Sequence, residues 1–168
     1  MQISMYQASV PAFLRTLKNL SAILDKAASF AEAKKIDESV LVNARLAPDM
    51  FPFARQIQIA TDLVKGCAAR LSGAEPPSYA DTETTIPELK ARVAKTIAFL
   101  EGFKPDQIDG SEERKVTLKL RGREVNFVGK LYLFEFVIPN FYFHVTTAYD
   151  ILRHNGVELG KMDYIGRE

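Results

Sequence analysis

The chain is poor in the residues that most protein chemistry uses. Of its 168 residues, one is cysteine and two are histidine. A lone Cys67 excludes an internal disulfide and fits a reducing cytosol, so the expected location is cytoplasmic. The two histidines, His144 and His154, leave few bases, and no Ser-His-Asp order accompanies them. An excess of one charge is also lacking: 22 basic residues face 21 acidic ones, a net of +1. That balance predicts no nucleic-acid partner and no attraction to an anionic membrane. No glycine-rich loop follows a strand and opens a helix, which removes the usual phosphate-cradling motifs. Long apolar runs are missing too. The longest, residues 131–145, is interrupted by Glu135, Pro139, Asn140 and His144 and is too short to cross a bilayer in the usual way. No basic flank precedes an apolar core at the N-terminus, so no signal peptide is expected.

What is present describes a folded domain. Hydrophobic residues make up 47% and charged residues 26%, ordinary values for a soluble globular protein. The length suits one domain, 1–168, that buries roughly 70% of its unfolded surface. Residues 9–32 carry Val10, Phe13, Leu17, Leu20, Leu24, Ala27 and Ala31 at steps of three and four, the stripe of a long amphipathic helix. Ser9 is its expected N-cap, with Pro11 in the first turn. Asp37 is expected to cap a short helix reaching Leu46. A second long helix is predicted over 51–72, with Asp49 as its N-cap, Phe53, Ile57, Ala60, Val64, Ala68 and Leu71 facing inward, and Gly73 ending it.

Residues 73–85 have no periodicity. A link of about 13 residues is long for antiparallel neighbours and suits a crossover along the bundle. Thr85 and Glu88 then match a capping box, opening a third helix on Ile86, Leu89, Val93, Ile97, Leu100 and Phe103. From Lys115 to Val128 the period becomes two. A type II′ turn at Gly122-Arg123 predicts that Leu120 pairs with Val125 and Leu118 with Phe127. A fourth helix follows over 130–155, bent at Pro139 and ended by Asn155-Gly156. The fold expected is mainly α: a four-helix bundle with a long crossover between helices two and three and a short β-hairpin before the last helix.

Asn140 and His144 stand at i and i+4, on one face of the last helix. The order and spacing of Pro48-Asp49-Met50-Phe51-Pro52, the run 56–73 and the run 140–156 resemble the DinB/YfiT-like superfamily of helical bundles, within a subfamily known only as a domain of unknown function. The resemblance covers nearly the whole chain. It implies a site built on three histidines that hold a divalent metal, one from the second helix and two at i and i+4 on the last. Here His144 matches the second of that pair and Asn140 takes the place of the first. The second-helix position falls at Gln56 or Gln58, with Gln56 nearer the apolar stripe. Some members of the superfamily are metal-dependent thiol transferases, which makes that activity the alternative expectation for this chain.

Amide oxygens are weak, hard donors beside imidazole, and a catalytic zinc normally takes His, Cys or carboxylate. The residue types therefore predict a degenerate site without a cofactor; a metal, if held, would sit on His144 with Gln56 and Asn140. Two readings of His144 remain: a buried imidazole satisfied by its neighbours, or a small-ligand pocket formed with Gln56, Asn140 and Tyr142. Cys67 reads as a small buried hydrophobe and His154 as an exposed cation near a helix end. Lys115, Lys119, Arg121 and Arg123, interspersed with Glu112, Glu113 and Glu124, read as a solvated face. Helix four, together with Met5, Tyr6, Val10, Phe13 and Leu14, presents more apolar surface than one seam needs, which predicts a homodimer.

Overall fold

In the computed structural model, residues 3–120 and 122–166 are described, the side chain of Leu120 excepted. Helix α1 (Met5–Lys34) begins four residues earlier than the periodicity suggests. Ser4, not Ser9, is its N-cap, and Ser4 and Gln7 form a reciprocal capping box. Ser9 is buried within the helix, where its hydroxyl donates to the Met5 carbonyl at 2.6 Å. Pro11 therefore lies inside α1 rather than in its first turn. Asp37 caps the short α2 (Glu38–Val42). Helix α3 (Phe53–Ser72) starts behind Pro52, which has no side-chain cap to offer, so Asp49 is not the N-cap. Its first turn is fixed instead by the Phe53 N–H donating to the Ala44 carbonyl at 2.9 Å. Gly73 ends α3 at φ 83°, the left-handed conformation for which glycine carries no Cβ penalty. Thr85 and Glu88 cap α4 (Ile86–Glu101), and a short α5 (Pro105–Ile108) follows.

Strands β1 (Lys115–Leu120) and β2 (Arg123–Val128) pair antiparallel. The register differs from the expected one: Leu118 faces Val125 and Val116 faces Phe127, with Leu120 opposite Arg123. Gly122, at φ 78°, directly precedes Arg123. Glycine carries no Cβ penalty at that positive φ, and the two-residue shift keeps Val116 and Leu118 on one face, which is buried against the bundle. Arg121 lies outside the described residues.

The last long helix comprises α6 (Gly129–Leu131), a π-helical stretch (Tyr132–Val137) and α7 (Ile138–His154). The widened turn directly precedes Pro139, where the Ile138 N–H reaches back five residues to the Leu133 carbonyl. Proline has no N–H, and its ring crowds the carbonyl four residues back, so a wider turn is the relief. A final short α8 (Lys161–Ile165), unanticipated from the sequence, lies against α1 through the Asn19 amide and the Tyr164 carbonyl at 2.9 Å. No helix among the described residues is long and apolar enough to cross a membrane.

Cross-links give the helix directions. Lys18–Glu101 and Asp25–Lys90 run α1 against α4. Gln56–His144 and Arg70–Tyr132 run α3 against α7. Asp81 and Glu83, late in the connection, return to Arg55 and Gln58 at the start of α3, so residues 73–85 travel back along the bundle and leave α3 and α4 parallel. The inward stripes read from the sequence for α1 and α3 are buried throughout, in one continuous core. Met5, Val10 and Phe13 are at most 3% exposed, covered by their own chain, and so offer nothing to a partner subunit. What stays exposed on the last helix is Leu131, Phe134 and Phe143.

Candidate functional site

The junction of α3 and α7 brings Gln56 and His144 together. Gln56 sits in the first turns of α3 and is 1% exposed. Its Nε2 donates to the Phe51 carbonyl at 2.9 Å, just outside the helix. Because a carbonyl only accepts, this bond fixes which end of the amide is nitrogen, and Oε1 is left facing α7. There it lies 2.7 Å from His144 Nδ1. An oxygen acceptor opposite that nitrogen makes Nδ1 the protonated one, so Nε2 carries a lone pair. That lone pair has no hydrogen-bond partner among the described residues, and Nε2 is not sealed from solvent.

His144 is 9% exposed. Burial, and secondarily the Arg55 guanidinium, lowers its pKa to about 4, so the imidazole is neutral at physiological pH. The Phe143 ring stands edge-on to the imidazole at 5.2 Å. Phe143 is 55% exposed, so one apolar side chain stands at the surface beside the imidazole.

The other expected site residues are arranged differently. Asn140 shares the face of His144 but turns its amide nitrogen to the Phe136 carbonyl of its own helix, at 2.6 Å. Tyr142 lies about 200° around α7 from His144 and faces α1 and α8, lining a cavity with Pro11, Arg15 and Tyr164. Gln58 points to the crossover, donating to Glu83 at 3.0 Å. His154 is exposed in the last turn of α7, and Cys67 is fully buried, with its thiol pKa pushed up by desolvation.

The donor set does not fit a transition metal. One imidazole nitrogen is committed to Gln56, both ends of the Gln56 amide are committed to protein, and the Asn140 nitrogen is spent on its own helix. Among the described residues no three His, Cys, Asp or Glu side chains gather as a metal site requires.

Sequence reasoning missed a second polar centre on α4. The Arg92 side chain is 2% exposed and reaches Asp62 at 2.9 Å, Asp81 at 3.1 Å and Glu83 at 3.0 Å. Its Nε also donates to the Thr61 hydroxyl at 2.8 Å. Tyr79 covers this centre, with Lys65 and Lys95 over its ring at 3.7 and 4.2 Å. The legible signal was a charged residue on the inward side of α4, beside Leu89 and Val93, matched by the acids of the crossover. Its role is architectural: it fastens residues 73–85 along α3.

Comparison with known proteins adds to this geometry. Residues 5–165 match the family described as Domain of unknown function (DUF1993). The chain is also similar to a solved crystal structure, that of a DinB family member protein from Shewanella denitrificans. The two are 45% identical, with a TM-score of 0.86 over 97% of this chain and 92% of that one. No curated protein matches the chain.

Proposed function

The chain belongs to the family described as Domain of unknown function (DUF1993), and from that premise we propose that it is a DinB-like bundle that binds a small, largely apolar molecule at His144, without a metal. The observation that carries this reading is the ordered relay from the Phe51 carbonyl through Gln56 to Nδ1, which leaves a neutral Nε2 acceptor beside the Phe143 ring. Apolar walls with a few placed polar groups are what small-molecule sites use. The ligand supplies a hydrogen-bond donor to Nε2 and packs its apolar body on Phe143. The alternative, a metal-dependent thiol transferase, needs a metal to lower the thiol pKa, and the donor set argues against one.

Elemental analysis of tag-free protein separates the two: stoichiometric zinc, nickel or iron overturns the proposal. A library of neutral donor-bearing fragments, followed by the ¹⁵N resonances of His144, then tests binding directly. Bound fragments are expected to shift Nε2 and to lose affinity in His144→Ala. A library that leaves Nε2 unmoved sinks the ligand reading.

A homodimer is the second element of the proposal. Leu131 and Phe134, 40% and 53% exposed, lie three residues apart on the last helix and form the apolar surface offered to a second copy. Sedimentation at micromolar concentration should give a dimer that Phe134→Asp converts to a monomer. A wild-type mass near 18.8 kDa refutes it.

A further inference from the structure

Between the C-terminal end of α3 and strand β1 lies an open cleft of about 940 Å³, lined by Arg70, Arg114, Lys115 and Lys119 with a single acid, Glu75. We propose that this cleft is a binding site for a small organic oxyanion, a molecule carrying phosphate or paired carboxylate groups. Several observations carry it. The four cations come from two segments, Arg70 on α3 and Arg114, Lys115 and Lys119 at the hairpin, which converge through the fold, so the balanced overall charge hides a local excess of positive charge. None of the four forms an ion pair with a carboxylate among the described residues. Other cations are treated otherwise: Lys130 is paired with Glu113 and Arg55 with Asp81.

The two guanidiniums are also seated. Arg70 Nη1 donates to the Tyr132 hydroxyl at 3.1 Å, and its head occupies the space that Gly66 leaves by having no Cβ. The Arg114 head lies against Gly73 in the same way, at the end of α3, and makes no hydrogen bond within the described residues. A planar fork with free N–H groups, held in place before the ligand arrives, is the geometry that recognises carboxylate and phosphate in bidentate fashion. The volume is that of a small-molecule site, and the concave shape, closed on one side by the hairpin, suits a compact anion better than an extended chain. Arg70 is 14 residues beyond Gln56 in α3, about 21 Å along the helix. This cleft is therefore separate from the His144 site, and either can fail alone.

The full-length protein, ¹⁵N-labelled at low ionic strength, is titrated with inorganic pyrophosphate and, separately, with citrate. The expected result is saturable shifts confined to residues 70–75 and 114–119 for at least one probe, weakening as salt is added. The probe that binds tighter identifies the anion class. Arg70→Gln combined with Arg114→Gln should lower affinity at least about tenfold, and Arg70→Lys, which keeps the charge but loses the fork, should lower it measurably. Arg153→Gln at the end of α7 should leave binding unchanged. Because the Arg114 guanidinium makes no hydrogen bond within the described residues, Arg114→Gln alone, expected to weaken binding several-fold, keeps the test valid if the double variant unfolds. The proposal is overturned if neither probe saturates, if shifts spread over lysines of the whole surface, or if the variants bind like wild type. It is equally overturned if only an acidic peptide binds.

Discussion

Replacing His144 by glutamine should remove a pH dependence of stability that the wild-type protein shows in mild acid. The folded-state pKa of about 4 lies below the ordinary histidine value of 6.5, chiefly because burial disfavours the imidazolium. Above pH 6.5 both folded and unfolded chains carry a neutral ring, and the site costs nothing. Between 6.5 and about 4 the unfolded chain takes up a proton that the folded chain refuses, so stability falls as pH falls. The full difference, 2.5 pKa units, corresponds to about 3 kcal/mol, of which about 2.5 kcal/mol is realised by pH 4.5. Every other titrating group is common to both proteins, so its contribution cancels in the difference. The quantity to measure is therefore the difference between wild type and His144→Gln in urea-unfolding free energy, at pH 7.5, 6.0, 5.0 and 4.5. It should be flat above pH 7 and should narrow by about 2.5 kcal/mol toward pH 4.5, because only wild type pays the protonation cost. A constant difference across the range refutes the reasoning, as does an NMR titration that gives His144 an ordinary pKa.

Arg92→Leu should destabilise the fold by about 3 kcal/mol, because it leaves Asp62, Asp81 and the partly buried Glu83 without their cation. Limited proteolysis should then cut within residues 73–85, and an intact crossover would contradict the fastening role. Gly129→Ala places a Cβ well inside van der Waals contact with the Ser111 carbonyl. A loss of about 2 kcal/mol in unfolding free energy is expected, and neutrality would show that the junction relaxes. Cys67 should react with a thiol reagent only after denaturation, since it is fully buried and its thiol pKa is raised. Rapid labelling of the folded protein would disprove that.

Much of the fold was legible because long helices repeat their signal. Every position in the α1 stripe from Val10 to Ala31 and in the α3 stripe from Phe53 to Leu71 is buried, since about five or more turns average out any single misleading residue. Boundaries rest on one or two residues, and there the reading slipped. Ser9 looked like a cap because Pro11 follows it, yet Ser4 with Gln7 makes the complete box. In the hairpin the register differs from the expected one by two residues, which leaves every side chain on its predicted face, so the apolar alternation could not choose between the two. Helix α8 has five residues and no periodic stripe, so nothing local announces it.

The candidate site divides along the same line. Spacing put Asn140 and His144 on one face, but spacing does not say where an amide will turn. Asn140 found a carbonyl four residues back in its own helix. Gln56 could not do the same for His144 without a partner outside its own turn, and the Phe51 carbonyl supplied it. The consequence reaches beyond orientation. An imidazole that binds a metal through one nitrogen usually has its other N–H held by an oxygen acceptor, which sets the tautomer and the ring angle. Gln56 performs that orienting task on Nδ1, although the superfamily resemblance would have it among the ligands. A side chain holding one imidazole nitrogen cannot also share an ion bound to the other. The substitution of glutamine therefore does more than weaken a donor. On the reading proposed above, Gln56 is a support rather than a ligand, and His144 Nε2, which has no hydrogen-bond partner among the described residues, is the acceptor offered to a proton donor.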